Sequence, residues 1–358
     1  MYFNQKPALD PASLVVMDDA HLAEGPLQSL YSLSVTRFDH EQLFRRLTEE
    51  LSMRLPHYAS LAAATGDGGG PEVAEVISFA DQGVVSDVLT TVLGSARLPT
   101  GLAFRWPRLR DRLERCVLFV TRDALWLRPW VYPLQANDHY RCAEQRLYLS
   151  ATIGDPADLS RRLGTGRIQM IRIDRSFSEQ TVGRRLVVLD PSDDQERVRA
   201  ALAAALSVTP KSVWLCASRG EVRRSSAVVE GVDRSLGRPP APRWTVNGTG
   251  DEIESFRVAR SGHLLAAGRF DGMDFRGEEC RVIVVPQLPR ATNPQEEFIS
   301  QQLGGGGVLV GRQNARIVQA LGRANRSEGD HAVYLLPGSR FATHLSRESF
   351  RRSLPAEL

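Results

Sequence analysis

Lysine is nearly missing. Lys6 and Lys211 are the only two among 45 Lys and Arg residues in a chain of 358. Cationic contacts therefore fall to arginine, whose planar fork suits bidentate binding of phosphate. Genomic base composition produces the same bias, so the bias alone assigns no ligand. Cysteine is sparse too: Cys116, Cys142, Cys216 and Cys280 form no CxxC. That spacing excludes a metal knuckle, and isolated reduced thiols fit a cytosolic fold. No apolar run approaches the roughly 20 residues a bilayer span needs. The start, MYFNQKPALD, lacks the basic and apolar regions of a secretory signal. A net charge of +3 excludes a global basic field. The expectation is a soluble, cytoplasmic protein without a membrane partner.

What is present is ordinary globular material, 42% apolar and 24% charged, long enough for about two domains. LVVM (14–17) reads as a short buried strand ending in two acids. From about residue 26 to 140 the pattern is mainly helical. Leu43, Leu47, Leu51 and Leu55 recur every fourth residue, and CVLFVTRDALWLRPWVYP reads as a β-hairpin. From Arg146 onward, RLYLS, VWLCAS, HLLAAG, RVIVVP and AVYLLP are short apolar runs of the kind a buried parallel sheet uses. Between them, helices are predicted over 192–206, with Ser192 as its cap, and over 314–324; GGGG at 304–307 reads as a loop. This alternation predicts an open α/β domain, whose active groups gather at the carboxyl ends of its strands.

Four stretches carry candidate chemistry. In DDAH, Asp18 stands at the end of a buried strand, where an acid holds Mg²⁺ against nucleotide phosphates. Asp19 beside it is placed to orient an attacking water. In LYLSATIGDP, Ser150 and Thr152 follow a strand directly and could bond to acids at a neighbouring strand end. In GRFDGMDFRGEEC, Gly268 and Gly272 allow close approach of backbone to a ligand, and Asp274 could reach a ribose or a metal-bound water. In QALGRANRSEGD, Gln319, Arg323 and Arg326 are spaced by four and three, which on a helix gives one face. Two arginines and a glutamine converging there suit charge stabilisation at a γ-phosphate.

The order DDAH, SAT, GxxxGxD, QxxGRxxR resembles motifs II, III, V and VI of the superfamily 2 helicases, and the last two look most like the branch containing XPD and DinG. The resemblance is continuous over roughly 261–341 and local around Asp18 and Ser150. It implies an α/β fold with a RecA-like parallel-sheet helicase lobe (166–358). A partial first RecA-like lobe (1–25 and 141–165) would carry a mainly helical arch-like insertion (26–140). ATP and Mg²⁺ are the implied cofactors and single-stranded DNA the implied partner, with RNA not excluded. Asp18 and Asp19 would hold the metal. Asp18, His21, Gly272 and Asp274 would contact the nucleotide, Ser150 and Thr152 would couple the lobes, and Gln319, Arg323 and Arg326 would join Asp19 in catalysis. In the insertion, Trp106, Trp126, Trp130 and Tyr132 interleave with arginines, either as base-stacking platforms or, the stronger reading, as the insertion's own core.

One part of the pattern is absent. Neither lysine stands in a GxxxxGK[ST] phosphate loop. The expectation is therefore the C-terminal portion of a longer or split helicase, inactive alone and in need of an N-terminal helicase region in cis or in trans. The rival reading is a non-catalytic nucleic-acid-binding or regulatory module. A hydrolase using His21 or His263 as base has no matched nucleophile in the sequence.

Overall fold

The computed structural model describes residues 10–18, 20, 27, 30–66, 73–134, 137–150, 156–171, 183–246, 251–268, 273–289, 293–303, 306–325 and 329–354. Among them no helix is long and apolar enough to cross a membrane. The chain divides into two compact units. Unit 1 comprises Met1–Ile171 and Asn293–Gly306; unit 2 comprises Arg172–Thr292 and Gly307–Leu358.

Unit 1 contains strands β1 (Leu14–Met17), β2 (Leu33–Thr36), β3 (Glu75–Val76), β4 (Cys116–Val120), β5 (Ala124–Pro129) and β6 (Gln145–Tyr148). Its helices are α1 (Glu41–Arg54), α2 (Ala59–Thr65), α3 (Gln82–Ser95), α4 (Thr100–Leu109), α5 (Asp138–Cys142) and α6 (Pro156–Leu163). β4 and β5 form the expected hairpin, inside an antiparallel sheet of order β2-β5-β4-β3. All five residues of β4 are buried because both faces of the sheet are covered. Leu118 and Val120 face Phe44, Leu47 and Leu51 of α1 and Val88 and Val92 of α3. Each such buried side chain contributes about 2 kcal/mol. Val117 and Phe119 alternate to the other face, where they meet Trp126 and Phe298. β1 and β6 form a separate, parallel pair, with Val16 opposite Leu147.

In unit 2, β7 (Arg184–Asp190), β8 (Lys211–Cys216), β9 (Arg243–Val246), β10 (Gly262–Ala267), β11 (Val282–Val284) and β12 (His331–Pro337) form one wholly parallel sheet of order β7-β12-β11-β8-β10-β9. The helices are α7 (Gln195–Val208), α8 (Arg219–Ser235), α9 (Asp251–Val258), α11 (Gly306–Ala320), α12 (Ser339–Leu345) and α13 (Glu348–Ser353). α10 (Pro294–Gln302) falls between β11 and α11 in sequence but packs in unit 1. Crossovers are right-handed, so connections that step one way across the sheet put their helices on one face and the reverse steps use the other. β7 to β8 and β8 to β9 step the same way, and α7 and α8 share a core with Trp214 and Val284. β9 to β10 and β11 to β12 step back, and α9 and α11 pack with Val213, Leu215 and Tyr334 on the opposite face.

Three local expectations change. The cap of α7 is Asp194, whose side chain accepts from Glu196 N; Ser192 bonds instead to Asp190. α11 begins at Gly306, inside the stretch expected to be a loop. It also ends at Ala320, short of the predicted 324, so Gln319 and Arg323 do not share a helical face: Arg323 lies in the turn that follows.

Candidate functional site

Asp274 and Arg323 come together in unit 2. Asp274 lies in the connection from β10 to β11. Gly322 N bonds back to Gln319 O at 3.0 Å and Arg323 N to Ala320 O at 3.3 Å, which closes the turn that ends α11. That turn is sewn to its surroundings: Phe275 N donates to Arg323 O at 2.9 Å, Arg185 Nε to Leu321 O at 2.7 Å, and Asn325 Nδ2 to Arg184 O at 2.7 Å. Tyr334 Oη donates to Asn325 Oδ1 at 2.6 Å, and burial pushes its phenol up to about 12. So fixed, the Arg323 guanidinium is buried, and its Nη1 donates to Asp274 Oδ1 at 3.2 Å. Arg257 Nη2 holds the Asp274 backbone carbonyl at 2.9 Å. One turn away, both side-chain amide atoms of Gln319 are shut off from solvent and have no hydrogen-bond partner among the described residues. A buried amide without a partner costs about 1–3 kcal/mol, and such groups mark places where a polar ligand fits.

In unit 1 the β1–β6 pairing brings two more candidates side by side. Leu149 N donates to Met17 O at 2.9 Å and Ala20 N to Leu149 O at 2.8 Å. Asp18, exposed, and Ser150, half-buried, therefore end two adjacent parallel strands. Asp19, His21, Thr152, Gly272 and Arg326 lie outside the described residues, as does Lys6. Among the described residues no group of three His, Cys, Asp or Glu side chains could hold a metal ion.

Sequence reasoning missed a crevice of about 630 Å³ at the carboxyl ends of β7, β12, β11 and β8. Trp214, Arg199, Arg224, Gln287 and Arg340 line it with Asp193. Asp193 is occupied by Ser339, whose N and Oγ donate to it at 3.1 and 2.9 Å. The backbone turns there at Gly338, at φ +103°, where a side chain would be strained and would sit 3.3 Å from Asp193 Oδ1. Arg224 is paired with Glu221; among the described residues Arg199 and Arg340 have no acidic partner within 4 Å, so three arginines face Asp193 and Glu221 in the crevice lining. Only the rule that ligands gather at strand carboxyl ends pointed to these residues.

Two sequence candidates take structural roles. His263 does have a nucleophile-type neighbour, contrary to expectation: its Nδ1 is 2.7 Å from Ser212 Oγ, and its Nε2 is 3.4 Å from Asp233 Oδ2. Ser212, His263 and Asp233 are all buried, however, and Trp214 Nε1 also bonds to Ser212 Oγ at 2.8 Å, so no substrate reaches the serine. Lys211 is the first residue of β8, at the end of the strand opposite the crevice. Its Nζ is 3.0 Å from Arg257 O and 4.5 Å from the Phe256 ring centre, and burial lowers its pKa. Trp106, Trp126 and Tyr132 are core residues, as expected; Trp130 is 55% exposed.

Residues 241–357 match the family of helicase C-terminal domains. Among solved structures, an XPD helicase is similar at a TM-score of 0.55 and 15% identity, over 95% of this chain and 66% of that one. An XPD apo structure gives 0.55 and 16%, over 95% of this chain and 74% of that one. Xpd4 of S. tokodaii gives 0.50 and 14%, over 99% and 77%. No curated protein sequence matches. The chain therefore shares the fold of the XPD structures, and its residues 241–357 match the helicase C-terminal domain family.

Proposed function

We propose that the chain is the C-terminal portion of an ATP-dependent helicase or translocase that moves on single-stranded nucleic acid. The observation that carries this is the Arg323–Asp274 pair beside the partnerless Gln319 amide, within a helicase C-terminal domain. The donor set fits a nucleotide phosphate: a guanidinium already held in place and an amide awaiting a polar partner. Gln319 and Arg323, with Arg326, would face the γ-phosphate of ATP, and Gly272 and Asp274 would lie against the nucleotide. Asp18 and Asp19 would hold Mg²⁺, with His21 next to them; the ion supplies neutralisation of phosphate charge. Ser150 and Thr152 would sense that site from the neighbouring strand. Residues 1–25 and 141–165 would form the first lobe, with 26–140 inserted in it. The strand of nucleic acid would cross the crevice at the carboxyl ends of β7, β12, β11 and β8, with phosphates toward Arg199 and Arg340.

The 358 residues contain no phosphate loop, so turnover requires one from elsewhere, in cis or in trans. The test has two arms. Labelled single-stranded DNA should bind the purified chain with an affinity that falls with salt, by about 0.7 log units per log unit for each phosphate neutralised. Arg199→Glu with Arg340→Glu should weaken it. Absence of binding at low salt removes the helicase reading. ATP hydrolysis should be undetectable for the chain alone; DNA-stimulated turnover would remove the requirement for an added loop. Binding that never gains ATPase activity with any added phosphate-loop region would favour the non-catalytic module.

A further inference from the structure

The crevice at the carboxyl end of the unit 2 sheet is more apolar than a track for phosphates requires. Trp214 and Val284 line it from the core that the sheet shares with α7 and α8. Val198 of α7, Val228 of α8 and Leu288 after β11 line it too, and each stays half-buried rather than packed away. Phosphates are hydrated anions and gain nothing from aliphatic walls, whereas the flat faces of a nucleobase do. The volume of about 630 Å³ lies within the range of pockets that bury most of a small organic ligand. The Trp214 ring is also fixed before anything binds, because its Nε1 donates to Ser212 Oγ at 2.8 Å. A wall already ordered adds no side-chain ordering cost to binding.

We propose that this crevice admits an unstacked base of the single strand, so that unit 2 grips nucleic acid by a base as well as by its backbone. The inference rests on the helicase reading above and specifies what the strand places in the crevice. Charge selects a nucleic acid over a purely apolar ligand: Arg199, Arg224 and Arg340 line the same crevice and are exposed. The two acids there are engaged, Asp193 by Ser339 and Glu221 by Arg224. The phosphates flanking an inserted base are the anions these arginines suit. Gln287, exposed on the loop after β11, carries donor and acceptor on one amide and can serve the polar edge of any base. The pocket should accordingly tolerate all four bases.

The test compares two labelled strands of equal length at low salt: oligothymidylate and an abasic deoxyribose-phosphate chain. Both carry the same charge, so backbone contact alone binds them equally. The natural chain should bind oligothymidylate about tenfold more tightly, a difference of ~1.4 kcal/mol. Ala227→Leu enlarges an exposed side chain of α8 in the crevice lining without touching an arginine. It should remove most of that preference and leave the affinity for the abasic chain unchanged. Val228→Phe should do the same, with the melting temperature showing that each variant is folded. Equal affinity for the two strands in the natural chain, or a preference that survives in either folded variant, overturns the base pocket. The two claims separate cleanly: a natural chain that binds neither strand fails the helicase reading as well, whereas equal binding of both removes only the pocket.

Discussion

Arg323 and Asp274, 49 residues apart in sequence, meet at 3.2 Å with unequal exposure: the Arg323 side chain is 5% exposed and that of Asp274 is 42%. The arginine is committed to the interior and the carboxylate is its link toward water. A phosphate that approached would compete with this carboxylate for a guanidinium already oriented, so binding would exchange one anion for another. Such an exchange avoids moving a bare charge out of solvent.

The asymmetry predicts which half of the pair matters more to stability. Asp274→Ala takes one carboxylate away from a buried guanidinium and should cost unit 2 about 2–3 kcal/mol. Arg323→Ala leaves a carboxylate that water can reach and should cost about 1–2 kcal/mol. The double variant should then be no less stable than Arg323→Ala alone. Denaturant titration of all three measures this; additive losses would mean that the two residues act independently.

Gln319 makes the opposite prediction. Its amide is buried without a partner among the described residues, so Gln319→Leu keeps the volume and removes a polar group that none of them satisfies. Stability should rise by about 1 kcal/mol. If the amide is reserved for a phosphate, the same variant should lower ATP turnover once a phosphate loop is supplied. A destabilised Gln319→Leu protein would show that the amide is satisfied after all.

These two residues also mark how far sequence reasoning reaches. Gln319 and Arg323 stood out by spacing, but the helix assumed to align them stops at Ala320. The pairing with Asp274 is non-local and has no signature in either stretch. β8, β10, β11 and β12 were legible because inner parallel strands are apolar on both faces. β7 and β9 were missed; they are the sheet's edges, and in β7 the apolar run of four that follows two arginines is only partly covered, with Leu186 61% exposed. The crevice was illegible for another reason. Four strand ends contribute to it, and only the topology makes neighbours of Asp193, Trp214 and Gln287.

α10 provides a test of unit 1. Its sequence lies within the helicase C-terminal match, 241–357, yet it covers the outer face of the sheet formed by β2 to β5. The Phe298 ring lies 5.9 Å from that of Phe119, Gln301 Oε1 accepts from Ala74 N at 2.8 Å, and Gln295 Oε1 accepts from the buried Arg128. Phe298→Ala should destabilise unit 1 by about 1–3 kcal/mol, less than a fully buried phenylalanine, and should speed exchange of β4 amide protons ahead of those in unit 2. If β8 amides lose protection equally, α10 is not an element of unit 1 alone.

The last prediction concerns pH. His263 is buried and its pKa is lowered from the usual histidine value by desolvation, with the nearby Asp233 carboxylate only partly opposing this. Burial, aided by Arg347, lowers His344 as well. In the unfolded chain both titrate near about 6.5. Between that value and the lower folded one, the unfolded state binds more protons, so stability rises with pH across the window. The contribution is complete above about pH 6.5 and is lost as acidification proceeds through the folded values. The melting temperature of unit 2 should therefore fall between about pH 7 and pH 5. It can be followed through Trp214, whose Nε1 bonds to the same Ser212 hydroxyl as His263. His263→Asn, which retains a polar atom near Ser212 but cannot take up a proton, should flatten the slope. A melting temperature that holds steady or climbs on acidification would mean that His263 is already protonated beside Asp233 in the folded protein.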